Sequence, residues 1–397
     1  MNTAERIAKE LLHEQSGIWY ISDHFGAKIM VKVTSPAIKS LIKGIKIEFS
    51  FGKDNIHQPA IFHKGLKIYD DPIHYLSIIE SNRFKDEHSS LVNIMNRSYT
   101  YIHFHNELNI CVAIATLSFN TKDKLGVLNM LGNIDKLYTG DFNNKVSKSL
   151  DCFEYSLEIR DKVEDIYQIE TLVIEAKLSN WQMMNNTFIG LNESNKIIIN
   201  DRDEGNTFEQ QVWVSLETLF EKKLHKNPQV FLKNKFRELT DVLAHYENGI
   251  FLIETKALGI INNQEERSME RKVTGLQKQI SKGIDQVIGA WKKIISNAPV
   301  YDTINSEITF SKSNFPHCIV LVSELLPFGD WKMIEYKILI AMAENEVYFN
   351  VMDLREFMQY VGIANGSKDR LNLLLIERVE SFVEYENIHL KIDIIKQ

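Results

Sequence analysis

Residues 241–257 read DVLAHYENGIFLIETKA, and the fold of the second half of the chain turns on them. Asn248-Gly249 between two apolar runs is a strong hairpin signal, because both central positions of a type I′ turn need positive φ. With that turn Glu247 faces Ile250. Counting outward then sets His245 opposite Leu252, Leu243 opposite Glu254 and Asp241 opposite Lys256, all on one face by the two-residue alternation of strands. The other face carries Val242, Ala244, Tyr246, Phe251, Ile253 and Thr255, most of them apolar and suited to a core. Asp241, Glu254 and Lys256 are thus clustered where hydrophobic residues would be expected to continue.

Glu254 and Lys256 are two residues apart on one strand, about 6–7 Å, and Asp241 is about one strand spacing away. Carboxylates so placed can share Mg²⁺ or Mn²⁺, hard cations that take oxygen ligands and often keep several waters. Such a metal lowers the pKa of a bound water and neutralises charge on a phosphate under attack. Lys256 would position the attacking hydroxide or neutralise the phosphate as a point charge. The alternative is a cross-strand Asp–Lys ion pair on a solvent-exposed sheet face.

The flanks extend the pattern. Asn206-Thr207-Phe208-Glu209 opens a helical run in which Phe208, Val212, Leu216, Leu219 and Phe220 recur at three- and four-residue intervals. Glu209, read in the first turn, is a candidate third carboxylate, with complementation of the helix dipole as its other explanation. Residues 268–296 read as a long helix with Val273, Leu276, Ile280, Ile284, Val287 and Ile288 inward. Arg271, Lys272, Lys278 and Lys282 lie on its remainder and are candidate phosphate-backbone contacts, or else a solvated face. Gln279 and Gln286 of this helix are candidates to orient water or a phosphate oxygen.

The series Phe208-Glu209, Glu238-Leu-Thr-Asp241-Val, Gly249-Ile-Phe-Leu-Ile-Glu254-Thr-Lys256-Ala and a later helix with Gln286 resembles the PD-(D/E)xK nuclease superfamily, in particular its nuclease-related-domain branch. The resemblance implies a restriction-endonuclease-like core, a mixed central sheet flanked by helices, and Mg²⁺-dependent phosphodiester hydrolysis. By that pattern Glu209 is the helical carboxylate and Asp241 and Glu254 are metal ligands. Lys256 is the catalytic lysine and Gln286 the helical polar position. Thr240 stands where the motif's proline would be. The similarity covers about residues 200–300, continues towards 385 through a strand and two helices, and does not reach residues 1–195. A second apolar strand with Glu-x-Lys, at Glu175 and Lys177, has no hairpin and no strand-borne aspartate before it, and reads as structural.

A chain of 397 residues invites two domains. The division expected is 1–195, an α/β or α+β domain, and 200–397, the nuclease-like domain, giving an α/β class overall. In the first domain strands are expected at 18–33, 44–50, 59–68, 101–106 and 109–118, and helices near 2–14, 35–43, 73–80 and 143–160. His103 and His105 share a strand face but lack a third ligand, and Trp19-Tyr20 reads as core. Hydrophobic residues make up 44% and charged residues 25%, and no apolar run reaches the length of a membrane span. Cys111, Cys152 and Cys318 are scattered, which argues against a zinc knuckle and for a reducing, cytoplasmic setting. A net charge of −7 argues against coating nucleic acid by bulk attraction.

The expected function is therefore metal-dependent endonucleolytic hydrolysis, with Mg²⁺ or Mn²⁺ as cofactor and DNA as the favoured partner. The first domain is expected to sense, recognise or dimerise, through a protein partner, a small activating ligand or a homodimer contact, and a role in host defence suits that arrangement. The alternative is a catalytically silent nucleic-acid-binding or protein-interaction module.

Overall fold

The computed structural model describes residues 3–23, 26–70, 74–158, 166–190, 194–232, 234–260, 268–311 and 315–390. The chain divides into two compact units, Met1–Met184 and Asn185–Gln397, so residues 185–195 group with the second.

Unit 1 runs α1 (Thr3–His13), β1 (Gly17–Asp23), β2 (Gly26–Lys32), α2 (Ser35–Ile42), β3 (Ile47–Asp54), β4 (Ile61–Ile68) and β5 (Leu76–Asn82). It continues through α3 (Lys85–Met95), β6 (Thr100–His105), β7 (Cys111–Phe119), α4 (Thr121–Leu131), α5 (Asn144–Leu157) and β8 (Glu170–Met183). Its strands pair in the order β1-β2-β6-β7-β8-β3-β4-β5, with only β2 and β6 parallel. A helix is expected at 73–80; residue 73 lies outside the described residues, and from Leu76 the chain is instead strand β5, paired residue for residue with β4. Its Leu76-Ser-Ile-Ile run ends in two β-branched isoleucines that suit a pleated surface.

Polar groups stitch this unit's interior. Lys64, buried, bonds Glu80 at 3.2 Å and Glu87 at 3.3 Å. His63 lies between Ser81 Oγ at 2.9 Å and Ser149 Oγ at 2.7 Å, and Ser149 donates on to Asp54 at 2.6 Å. Trp19 and Tyr20 are core residues. Glu175 and Lys177 both point to solvent from β8, as a structural strand would have them. His103 and His105 have lowered pKa values, chiefly from burial; Lys28 adds to it at His103, while at His105 a hydrogen bond with the His103 backbone opposes it.

Unit 2 begins with a small hairpin, β9 (Asn186–Ile189) and β10 (Ser194–Ile197), then α6 (Glu204–Phe220), β11 (Leu224–Lys226), β12 (Gln229–Leu232), β13 (Lys235–Glu238), β14 (Val242–Tyr246) and β15 (Gly249–Lys256). After it come α7 (Met269–Ile295), β16 (Val300–Tyr301), β17 (Glu307–Ile308), β18 (His317–Val322), α8 (Lys332–Asn345), β19 (Tyr348–Asp353), α9 (Leu354–Ala364) and α10 (Lys368–Tyr385). The main sheet has the order β11-β14-β15-β18-β19. It is mixed: β11, β14 and β15 are antiparallel neighbours, while β15-β18 and β18-β19 are parallel.

Both faces of this sheet are covered. Leu243, Ile250, Leu252, Cys318 and Val320 pack under α7 and α8. Val242, Ala244, Phe251, Ile253 and Ile319 pack under α6, α9 and α10. Covering on both sides explains why β15 and β18 read as nearly unbroken apolar runs. Among the described residues no helix is long and apolar enough to cross a membrane.

Behind the sheet Arg378 is buried. It donates to Glu356 Oε1 at 2.7 Å, to the Val351 carbonyl at 2.8 Å and to the Ile388 carbonyl at 3.3 Å. Removing one partner of such a pair strands the other charge, so Arg378→Met is expected to lower unfolding free energy by about 3–5 kcal/mol, read by urea denaturation.

Candidate metal centre

The β14–β15 turn is the expected two residues long but lies one residue nearer the N-terminus than Asn248-Gly249 would put it. Tyr246 pairs with Gly249 and His245 with Ile250, leaving Glu247-Asn248 as the turn. Neither these two nor Gly249 has positive φ, so the turn is not type I′. Gly249 is needed for space, since a Cβ there would lie 2.6 Å from Tyr246 Cε1. The ladder ends with Val242 facing Ile253, which brings Asp241 level with Glu254 and not with Lys256. The facing of the side chains survives, because the register moves by two residues and strand alternation repeats every two.

Nor is the cluster on a solvent-exposed sheet face. Asp241 and Glu254 are 7% and 3% exposed. Asp241 Oδ2 accepts from the Thr255 backbone N–H at 2.6 Å and from Thr255 Oγ1 at 2.8 Å. The carboxylate thereby stands in for the ladder carbonyl that β14, already ended, no longer supplies. Lys256 Nζ donates to Glu254 Oε1 at 2.7 Å. Thr240, the residue in the proline position, donates to the Ile253 carbonyl at 2.8 Å. A proline would have no hydroxyl to do so.

Helix α7 comes close to the sheet here because of Gly283. A Cβ on it would sit 3.0 Å from Val320 Cγ1 and 3.4 Å from Lys256 Cε. Beside Lys256 a cleft of about 410 Å³ opens, lined by residues 202–205 at the start of α6, Thr255 to Ala257, Gly259, Gln279 and Lys282. Gln279 presents a buried Oε1 without a hydrogen-bond partner. Gln286, about two turns on, is exposed and does not line the cleft, so Gln279 and not Gln286 is the helical amide beside Lys256. The sequence named both but had no way to fix how far along α7 the sheet would be met.

Glu209 is half-buried in the second turn of α6, five residues past its start at Glu204, not in the first turn. Asp203 caps the helix instead, accepting from the Asn206 N–H. Dipole complementation therefore does not account for Glu209. Its pKa is raised, first by burial and next by the charge of Asp241, against a smaller opposing effect of Lys226.

A fourth carboxyl went unassigned in the sequence reading. Glu238, at the end of β13, is pushed up to about 7 by desolvation, then by the Asp241 charge and a side-chain hydrogen bond to Asp241, with Glu254 and Glu209 adding to it. It lies at the open rim, where water screens part of this repulsion. The Glu254 pKa is likewise raised by burial and Asp241, with Lys256 opposing. The signal in the sequence was Glu238-Leu-Thr-Asp241 itself, an acid three residues before the aspartate.

Four carboxyls therefore repel one another, relieved mainly by Lys256 and Lys226. Among the described residues, no three His, Cys, Asp or Glu side chains are gathered as a set able to hold a metal ion. Asp241 and Glu254 nonetheless fit the chemistry of Mg²⁺, which is commonly held by one or two carboxylates and completes its shell with water and phosphate. Their mutual repulsion is what a divalent cation relieves.

On α7, Arg271, Lys278 and Lys282 fall within about 40° of one another around the helix axis, and Lys272 about a quarter-turn away. Arg271, Lys278 and Lys282 are exposed and Lys272 is half-buried; of the four only Lys282 lines the cleft. No protein-family model, curated protein or solved structure matches the chain.

The raised Glu238 pKa has a consequence for stability. Between about pH 4.5, its ordinary value, and about pH 7, the folded chain holds a proton that the unfolded chain has released. Stability contributed by this group is therefore lost as pH rises through that interval. Glu238→Gln is expected to flatten the decline and to be more stable than the unaltered protein above about pH 7, measured by urea denaturation across about pH 5–8.

Proposed function

We propose that unit 2 is a metal-dependent nuclease of the PD-(D/E)xK kind, with a restriction-endonuclease-like core, that hydrolyses phosphodiester bonds in nucleic acid, DNA being the favoured substrate and internal cleavage the favoured mode. One observation carries the reading: Asp241 and Glu254 are nearly buried at the end of a mixed sheet, and Lys256, bonded to Glu254, lines an open cleft. Burying like charges is costly unless something compensates them, and a fold that needed only stability would place apolar residues there.

In this reading Asp241 and Glu254 hold Mg²⁺ or Mn²⁺, with Glu209 reaching its water shell. The metal, when bound, supplies an acidified water and neutralises phosphate charge. The chain's own groups do the rest. Asp241 is fixed in orientation by the Thr255 N–H and hydroxyl. Lys256, already aimed by Glu254, offers its ammonium to the attacking water or to the charge growing on the phosphate. Glu238, titrating near neutrality, is suited to take up and release a proton at the rim. Gln279 and Lys282 line the cleft where a phosphate would enter, and Arg271, Lys278 and Lys272 extend positive charge along α7. Unit 1 would target or regulate this activity through a protein partner, an activating small molecule or a homodimer contact, an arrangement suited to host defence.

A second reading has an observation of its own. The Lys256–Glu254 pair is closed at 2.7 Å, an internal compensation that a silent nucleic-acid-binding or protein-interaction module would also show.

Cleavage of supercoiled plasmid, linear duplex and single strands by the full chain tests the first. Cutting is expected with Mg²⁺ or Mn²⁺, none with EDTA, and a loss of about 10²-fold or more in Glu254→Ala and Lys256→Ala. A nuclease activity that survives Glu254→Ala would sink the assignment. Metal alone gives a separate readout: Mn²⁺ is expected to raise the melting temperature above neutral pH, where the carboxyls are ionised, and to do so less in Asp241→Asn.

A further inference from the structure

Strands β12 and β13 form a ribbon that continues the β11–β14 ladder, joined to it by Asn227 N–H donating to the Asp241 carbonyl at 2.8 Å and Leu239 N–H to the Pro228 carbonyl at 2.7 Å. Its two faces differ. Val230 on β12 and Val300 on β16 are buried against the α7 core, with Leu232 partly buried beside them. The opposite face carries Phe231 paired with Phe236, and Gln229 paired with both Glu238 and Tyr301. Phe231 and Phe236 are 45% and 43% exposed, although their rings touch: Phe231 to Phe236 at 5.1 Å and Phe236 to Tyr301 at 5.5 Å between centroids.

Three neighbouring aromatic rings on an open sheet face are costly to leave in water, and solvent-facing positions of a ribbon normally carry polar side chains. Here the same face ends at Glu238, a member of the carboxyl cluster. From Phe236 to Asp241 the chain runs five residues, about 16 Å when extended, so the platform and the candidate centre are within a few nucleotides of each other. Lys235 and Arg237, both exposed, alternate with Phe236 along β13 and so project to the ribbon's other face, at the edge strand of its sheet.

We propose that Phe231, Phe236 and Tyr301 form a stacking platform that receives unpaired bases of a single-stranded nucleic acid and leads the strand to Asp241 and Glu254. Aromatic faces bind every base by stacking, whatever its identity. Duplex bases are already stacked on each other and offer no such face, so the platform selects single strands or frayed ends. The proposal deepens the nuclease reading and rests on it for where the strand is led.

Fluorescence anisotropy of the full-length protein with a labelled oligothymidylate and with a blunt duplex, in EDTA so that nothing is cut, is the test. Tighter binding of the single strand is expected, with a loss of about tenfold or more in Phe231→Ala/Phe236→Ala, a smaller loss in Phe236→Leu, which keeps bulk without an aromatic face, and little change for the duplex. Unchanged circular dichroism would show that the variants fold. Single-strand affinity that is absent, or that is the same in the double variant, overturns the proposal. So does a change from dimer to monomer in the double variant without loss of binding, which would make the face a contact between copies. The two readings fail separately. Phenylalanine-dependent binding with no cleavage under any metal removes the nuclease and keeps the platform, whereas metal-dependent duplex cutting indifferent to both phenylalanines does the reverse.

Discussion

Repulsion among carboxyls brought together at low exposure is the constraint around which unit 2 is arranged. Asp241 and Glu254 are nearly buried, and Glu209 and Glu238 stand close enough to raise their own pKa values against them. Each surrounding feature answers that field. Thr255 donates twice to Asp241, Lys256 donates to Glu254, and Lys226 moderates Glu209. Hydrogen bonds to an ionised carboxyl favour that form, and Glu238, at the rim, answers the remaining field with a pKa pushed up to about 7.

The energetic logic separates the two functional readings. An ion pair kept for stability gains little over apolar packing of the same volume, and here the acids outnumber the cations that face them. A surplus of negative charge suits a site that awaits a cation. The closed Lys256–Glu254 bond is compatible with that use, because a lysine already aimed by its neighbour loses less freedom when phosphate arrives.

How much of this was legible in the sequence depended on the range of the interaction. Alternation along 242–256 gave the facing of Asp241, Glu254 and Lys256, because it depends only on neighbours in the chain. The turn was misplaced, since Asn-Gly favours positive φ locally while Tyr246, stacked over Gly249, sets a different register. The choice of Gln279 over Gln286 lay further out of reach. It depends on where α7 meets β15 and β18, a contact set by Gly283 and Val320. In unit 1 the segment 73–80 reads with either period, and pairing with β4 decided for a strand. Glu238 and the aromatic ribbon were in plain view at 229–238, yet their meaning required knowing which face of the hairpin α7 covers.

Gly283 marks a concession inside α7. A glycine in a helix interior costs about 1 kcal/mol relative to alanine, and Gly275 and Gly289 in the same helix have nothing within 4 Å to require them. At Gly283 alone the missing methyl has a use: it is the width by which the helix can settle against Val320 and the Lys256 stem. A stability optimum would fill Gly275 and Gly289 and leave Gly283. With Gly283 kept, α7 gives up some helix propensity of its own, and the lysine is held at a fixed depth by a neighbour that makes no bond to it.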